Sequence, residues 1–275
     1  MPALDGELSL RAGLGSGGRT ALTHQAFSAP FHISKPYWDP DAATLVLQVV
    51  NPTAGILAGD VLSSEVSVGP GASLLLTTPS ACRVFTMQRD SARSEQRFVV
   101  EEAAWLEVWP EPIVPHRGSA FHQITRLCVR PRGATLYADL LSVGRAAHGE
   151  AWAWDRLRLE LEVEVDGELT LCERFRDTGG QLRALARLAG AGDSVAFGNA
   201  VFVPPMETID SGWRDALNAL QREGVWVGVS QLRVPRAWSI KFVAADGILL
   251  RSTWRAIRDV LKPLIPQLRA DPRKL

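Results

Sequence analysis

Apolar and polar residues alternate with a period of two through most of the first two thirds of the chain, and the alternating runs end at Gly, Pro, Asp or Asn. This pattern predicts strands over Leu45–Val50, Val61–Val68, Ser73–Thr78, Gln96–Val100, Trp105–Trp109, Ile124–Val129 and Thr135–Leu141. No helical stripe of about 12 residues lies among them, so the pattern favours stacked or rolled sheets over alternating βαβ units.

The clearest local element runs from Arg156 to Phe175. Leu157, Leu159, Leu161, Val163 and Val165 alternate with charges up to Asp166-Gly167, after which Leu169 and Leu171 resume the alternation. A two-residue Asp166-Gly167 turn sets Val165 opposite Glu168 and Val163 opposite Thr170, which puts apolar against polar along the hairpin. A three-residue loop with Gly167 in a left-handed bulge instead pairs Val163 with Leu169 and Leu161 with Leu171. That register is the one expected. It places Glu173 on the apolar face and turns Cys172 and Arg174 away from it.

Beyond Phe175 the period changes. Leu182, Leu185, Ala186 and Leu188 repeat at helical spacing and stop at Gly190. Asp210-Ser211 offers an N-cap for a helix carrying Trp213, Ala216, Leu217 and Leu220 and ending near Gly224. Val225–Leu232 and Ser239–Ala244 read as strands. Ser252-Thr253 is the expected cap of a last helix with Trp254, Ile257, Val260 and Leu261 on one face, broken by Pro263 and Pro266. The whole chain, 1–275, is read as one domain with a β-rich body over about 8–176, a mixed α/β part over about 177–268, and a tail over 269–275 expected to fray.

Composition narrows the classes of function. Thirty basic and thirty acidic residues cancel, which removes any broad electrostatic case for binding nucleic acid or an anionic membrane. Cys82, Cys128 and Cys172 are lone thiols without a Cys-x-x-Cys pair and fit a reducing compartment. The N-terminus lacks the basic and apolar regions of a signal peptide, and no apolar run approaches the roughly 20 residues of a membrane span. A cytoplasmic protein is expected.

Familiar catalytic signatures fail on context. Gly13-Leu14-Gly15-Ser16-Gly17-Gly18 matches G-x-G-x-x-G, but no helix and buried strand follow it, so it reads as a flexible turn between two N-terminal strands. There is no phosphate loop of the G-x-x-x-x-G-K-[ST] type and no G-x-S-x-G elbow. The histidines at 24, 32, 116, 122 and 148 lack the short spacing of a closed metal site. No permanent metal site is expected, although a weak, transient contact is compatible with the pattern.

Two stretches draw attention instead. Asn51 to Asp60, rich in Gly and Ala between apolar runs, can cradle an anion, place a carboxylate in a cleft, or turn a tight corner. Among strand carboxylates, Glu107 lies between Trp105 and Trp109 on one face, and Glu173 interrupts Leu169, Leu171 and Phe175. A buried carboxylate is costly unless paired, so each calls for a partner such as Arg83, Arg145 or Arg174. Glu160, Glu162 and Glu164 read as a solvated outer stripe.

Taken in order, several segments resemble the urease accessory protein UreD (UreH) family. Asn51 to Asp60 is similar to its N-P-G-G-G-L-x-G-G-D segment, and Gly71 to Thr78 to its G-A-x-x-x-L-T-T-Q strand. Ser80 to Phe85 stands at A-x-K-V-Y, Leu106 to Glu111 is similar to L-E-W-x-P-Q, Gly144 to Glu150 to G-R-x-A-x-G-E, and Glu173 to Arg176 to E-R-x-R. The match departs at Ala54 and Ala58, at Pro79 in place of Gln, and at Trp109, displaced by one.

The resemblance implies a mainly β, β-solenoid-like body of stacked or rolled sheets with two or three helices in the C-terminal third. It implies a non-enzymatic scaffold that binds the urease apoprotein, UreF and, through UreF, the GTPase UreG. Such a scaffold helps deliver nickel to the urease active site by way of a proposed polar internal tunnel. No cofactor is held tightly, and nickel is in transit. The charged positions carried over as polar-path or interface candidates are Asp60, Arg83, Glu107, Arg145, Glu150, Glu173 and Arg174. With those positions assigned, a tight corner that delivers Asp60 becomes the expected role of the 51–60 loop. Two other readings stay open: a β-rich hydrolase pairing Asp60 with Glu107 for acid–base work, and a cytoplasmic adaptor with no metal role.

Overall fold

The computed structural model describes residues 3–272 except 52, 54, 89, 189–191 and 206–211. The chain opens with the hairpin β1 (Asp5–Leu14) and β2 (Thr20–Phe27), joined by the glycine-rich turn. Short strands β3 (His32–Ile33) and β4 (Tyr37–Asp39) lead into β5 (Thr44–Val50). Then a coil begins: β6 (Val61–Val68), β7 (Ser73–Thr77) and β8 (Cys82–Val84), followed by β9 (Ala92–Val100), β10 (Trp105–Trp109) and β11 (Ile113–Pro115). The next pair is β12 (Ala120–Val129) and β13 (Ala134–Ser142), and the hairpin β14 (Arg156–Val165) and β15 (Glu168–Asp177) closes the stack.

The result is a β-solenoid of about four turns. Parallel strands β1, β6, β9, β12 and β14 form one sheet, edged by antiparallel β2 and β15. Parallel strands β5, β7, β10 and β13 form the facing sheet, and β8 and β11 pair along a narrow third side. Each winding stacks in register on the last, so residues at equivalent positions line up across the coil. That alignment decides the character of the interior.

Three further strands extend the second sheet and two helices cover its outer face, while one short helix packs beside β15. Helix α1 (Gly180–Leu188) precedes β16 (Ala196–Val203), and α2 (Gly212–Asn218) precedes β17 (Val225–Gln231), β18 (Trp238–Ala244) and α3 (Gly247–Leu261). Strands β16, β18 and β17 join antiparallel beside β13. One core lies between the sheets, around Leu10, Leu47, Leu74, Leu106, Leu127 and Val163. A second packs Trp105, Phe202, Phe242, Leu250, Trp254 and Ile257 under α3. Each such fully buried side chain contributes about 1.5–3 kcal/mol. Because β7 and β10 are covered on both faces, all five residues of each are buried.

Four expectations change in detail. The hairpin adopts the two-residue Asp166-Gly167 turn, with φ of 56° and 85°, and pairs Val165 with Glu168. Parity is restored further along by a bulge, so Val163 pairs with Leu171 and Leu161 with Glu173. Leu169 is left 57% exposed, while the Thr170 hydroxyl, turned inward, accepts the Val234 N–H at 3.1 Å. Glu173 still reaches the inner face, by a different register.

Helix α3 starts at Gly247 rather than at Ser252, because the Asp246 carboxylate caps the N–H groups of Ile248 and Leu249, each at 2.8 Å. Helix α2 ends at Asn218, short of Gly224. The tail is not wholly loose: Ala270 is buried, and its carbonyl accepts a hydrogen bond of 2.7 Å from Arg258. The expected Asp210-Ser211 cap, the Gly190 stop and residues 273–275 lie outside the described residues.

Candidate functional site

The loop over 51–60 is a corner built on contact with β8. Gly55 has φ of 149°, and a Cβ there would stand 2.4 Å from the Arg83 carbonyl oxygen. Only glycine lets the loop lie this close, and the Ile56 N–H then donates to that same carbonyl at 2.8 Å. Asp60 is 1% exposed and accepts the Leu4 N–H at 2.9 Å and the Leu57 N–H at 2.8 Å. Its carboxylate closes the corner and ties down the N-terminal strand, so it is held by backbone rather than presented to a ligand. The Arg83 side chain is exposed.

Behind this corner, between the two sheets, lies a cavity of about 390 Å³ whose wall includes Asn51, Gly55, Cys82, Arg83, Gln123 and Asp139. Desolvation pushes the Cys82 thiol up to about 12, so it stays protonated at neutral pH. Polar side chains line the cavity in a ladder set by the stacking register. Ser64 on β6 stands beside Gln96 on β9, and Gln96 beside Thr125 on β12. Two residues along β9, Ser94 stands beside Gln123. The Thr125 hydroxyl donates to Gln96 at 3.4 Å.

Tyr137 and Asp139 share the inner face of β13, being two residues apart on a strand. The Tyr137 hydroxyl donates to Asp139 Oδ2 at 2.6 Å, and the Gln123 amide donates to Oδ1 at 3.1 Å. Burial pushes the Asp139 carboxyl up, these two hydrogen bonds oppose the rise, and the charge of Glu173 adds to it. Asp139 is thus the half-buried acid of the cavity. Its electrostatic coupling reaches the next carboxylate along.

That carboxylate lies where the sheets part. Asp139 is the cross-strand neighbour of Asn199 on β16, and Asn199 of Lys241 on β18. Glu173 faces them from β15, half-buried at 26% exposure. The Asn199 amide donates to Glu173 Oε2 at 2.8 Å, and the Lys241 ammonium donates to Oε1. The partner of Glu173 is therefore Lys241, not Arg83, Arg145 or Arg174. All these groups are oxygen donors or single amines, a set that suits loose passage of a divalent cation rather than tight retention. Among the described residues, no three His, Cys, Asp or Glu side chains gather into a group able to hold a metal ion.

The family model described as UreD urease accessory protein matches residues 4–275. The chain belongs to the UreD family. A UreD urease accessory protein of Opitutus terrae is 54% identical to it over 270 residues, covering 98% of each chain. One from Klebsiella aerogenes is 27% identical over 260 residues, covering 92% of each. UreD 2 of Streptomyces griseus is 30% identical over 260 residues, covering 90% of this chain and 86% of its own.

Within this UreD-family chain the charged positions singled out by sequence fall in separate places. Glu107 is fully sealed on the outer side of β10 and paired with Arg258 of α3, at 2.5 and 3.0 Å. Burial raises its carboxyl and the Arg258 charge lowers it. Arg145 and Glu150 clasp each other across a short 3-10 turn, at 2.9 and 2.6 Å, on the surface. Arg174 points outward to Glu162 at 3.3 Å and Glu160 at 3.8 Å. His116 is buried against Phe85, while His122 pairs with Glu160 at 3.1 Å, so the two histidines do not share a site. Asp60 and Glu107 are each sealed with other partners and make no open carboxylate pair.

Of the predicted residues, Glu173 alone joins the ladder, with Arg83 contributing to the cavity wall. Asp139, Tyr137, Gln123, Asn199 and Lys241 were not singled out by the sequence pattern. No alternation marked Tyr137 and Asp139, which share a face of β13 with Thr135 and Leu141, opposite the apolar run of Ala134, Leu136, Ala138 and Leu140. Among the described residues no helix is long and apolar enough to cross a membrane.

Proposed function

We propose that this chain is a non-catalytic scaffold in urease maturation. It binds the urease apoprotein together with UreF and, through UreF, UreG, and helps deliver nickel to the urease active site in the cytoplasm. The observation that carries the reading is the polar ladder along the cavity between the sheets. It runs along the cavity wall from the 51–60 corner past Gln96 and Gln123 to Asp139, and strand pairing and a hydrogen bond continue it beyond the wall through Asn199 to Glu173. Neutral oxygens on the cavity wall, with the carboxylates of Asp139 and of Glu111, the latter paired with Arg251, beside them and Glu173 beyond, give a cation weak successive contacts from which it can exchange. The paired-carboxylate hydrolase gains no support, since Asp60 and Glu107 are sealed apart from solvent.

The test is co-expression of the chain with the urease subunits, UreF and UreG, followed by measurement of urease nickel content. Asp139→Ala and Glu173→Ala should still co-purify with the partners yet lower nickel per urease active site. Normal nickel loading by both variants would remove the ladder from the delivery route. Failure of the unaltered chain to capture UreF or urease would remove the scaffold reading.

A further inference from the structure

Lys241 stands at the end of the ladder where a passing cation would next find oxygen. Its ammonium donates to Glu173 Oε1 and, at 3.3 Å, to Asn199 Oδ1. The other Glu173 oxygen is already taken by the Asn199 amide. Among the described residues, Lys241 supplies the one positive charge hydrogen-bonded to Glu173. Without it, no cation among the described residues is hydrogen-bonded to Glu173, whose charge already raises the half-buried Asp139 carboxyl.

The same lysine is well placed to leave. Its side chain is 57% exposed, and exposed ion pairs contribute little because water solvates the released ammonium. Arg258 makes the opposite arrangement, with a guanidinium 7% exposed and bonded bidentately to a carboxylate that is fully sealed. A lysine is a compact, flexible point charge that can swing away, whereas a planar arginine fork locks. Lys241 also lies directly across β16 and β18 from Asn199, so outward rotation of one side chain frees both oxygens without moving backbone.

We propose that Lys241 is an exchangeable counter-cation. Its ammonium occupies the Glu173–Asn199 end of the ladder until a divalent cation displaces it, and it thereby sets how weakly that end holds metal. This inference rests on the reading of the ladder as a cation path. It adds a residue whose role is to keep the exit from becoming a trap.

Calorimetric titration of the purified full chain with Ni²⁺ alone tests it. Lys241→Met should bind Ni²⁺ about ten-fold more tightly than the unaltered chain, the order expected on removing one like charge a few ångströms from the ion. Lys241→Arg keeps the charge and replaces the point charge with a fork that locks, so it should bind Ni²⁺ no more tightly than the unaltered chain. The gain should vanish in Lys241→Met combined with Glu173→Gln. If Lys241→Met does not fold, Lys241→Gln carries the same expectation. Equal or weaker binding by the neutral variants, or a gain that survives loss of the Glu173 charge, would overturn the proposal. Nickel loading of co-expressed urease separates the two readings. Normal loading with Asp139→Asn and Glu173→Gln would defeat the path, whereas impaired loading beside an unchanged titration would defeat only the role of Lys241.

Discussion

Arg258 on α3 reaches down to Glu107 on β10 with hydrogen bonds of 2.5 and 3.0 Å, and its guanidinium also holds the Ala270 carbonyl at 2.7 Å. One side chain thus fastens the last helix and the start of the tail to the second sheet. Removing only the carboxylate leaves a buried cation without its counter-charge. Glu107→Ala is expected to cost about 3–5 kcal/mol, read as a lowered urea midpoint. Replacing both groups, with Glu107→Leu and Arg258→Met, should recover most of that loss, since well-packed apolar pairs substitute for buried ion pairs at little net cost.

Asp139 gives a prediction with a sign. Its carboxyl is raised by burial, so above the ordinary aspartate value the folded chain holds more of this proton than the unfolded chain does. Whatever stability this group adds is present below the ordinary aspartate value and is lost as pH rises through the folded one. Asp139→Asn keeps an acceptor for Gln123 and offers its amide to Tyr137, without the charge. The variant should be more stable than the parent at about pH 7, with the advantage fading as pH falls towards about 4. Urea midpoints across that range decide it; an advantage that grows on acidification would refute the assignment.

The hairpin register can be checked at two neighbouring residues. Leu169 is exposed, so Leu169→Lys should change stability by no more than about 0.5 kcal/mol. Thr170→Val leaves the Val234 N–H without its acceptor in a buried setting and should cost about 1–3 kcal/mol. Thermal unfolding of the two variants distinguishes this register from one that turns Leu169 inward, for which the larger loss falls on Leu169→Lys.

How far the sequence could be read depended on whether a feature is local. Val61–Val68 and Trp105–Trp109 were legible to the residue because alternation and bounding turn residues lie within the strand itself. Glu173 was legible because parity with Leu171 and Phe175 survives the change of turn. The ladder was not. Gln96 shares parity with Phe98 and Val100, and Thr125 with Leu127 and Val129, so alternation turns both inward, but only in-register parallel stacking sets them side by side there. The start of α3 was hidden too, because Ile248, Leu249 and Leu250 make an unbroken apolar run and Ile248 is 77% exposed, off the buried stripe.

The 51–60 corner supplies the last test. Two of its glycines have backbone angles that side chains rarely adopt, and at Gly55 an added Cβ also meets backbone, 2.4 Å from the Arg83 carbonyl oxygen. That oxygen accepts from Ile56, and the Phe85 N–H returns a hydrogen bond of 3.0 Å to the Ile56 carbonyl, so loop and β8 cannot separate independently. Gly55→Ala should therefore cost at least about 1–3 kcal/mol from backbone strain alone. Arg83 and Gly55 both line the cavity, so the same change should disturb its wall. Gly17, in the turn between β1 and β2 with open space around it, is the control: Gly17→Ala should stay within about 0.5 kcal/mol. Amide hydrogen exchange at Ile56 and Phe85 is the direct measurement. Faster exchange at both in Gly55→Ala, with no change in Gly17→Ala, is the expected outcome, and unchanged protection would mean that the corner does not depend on glycine.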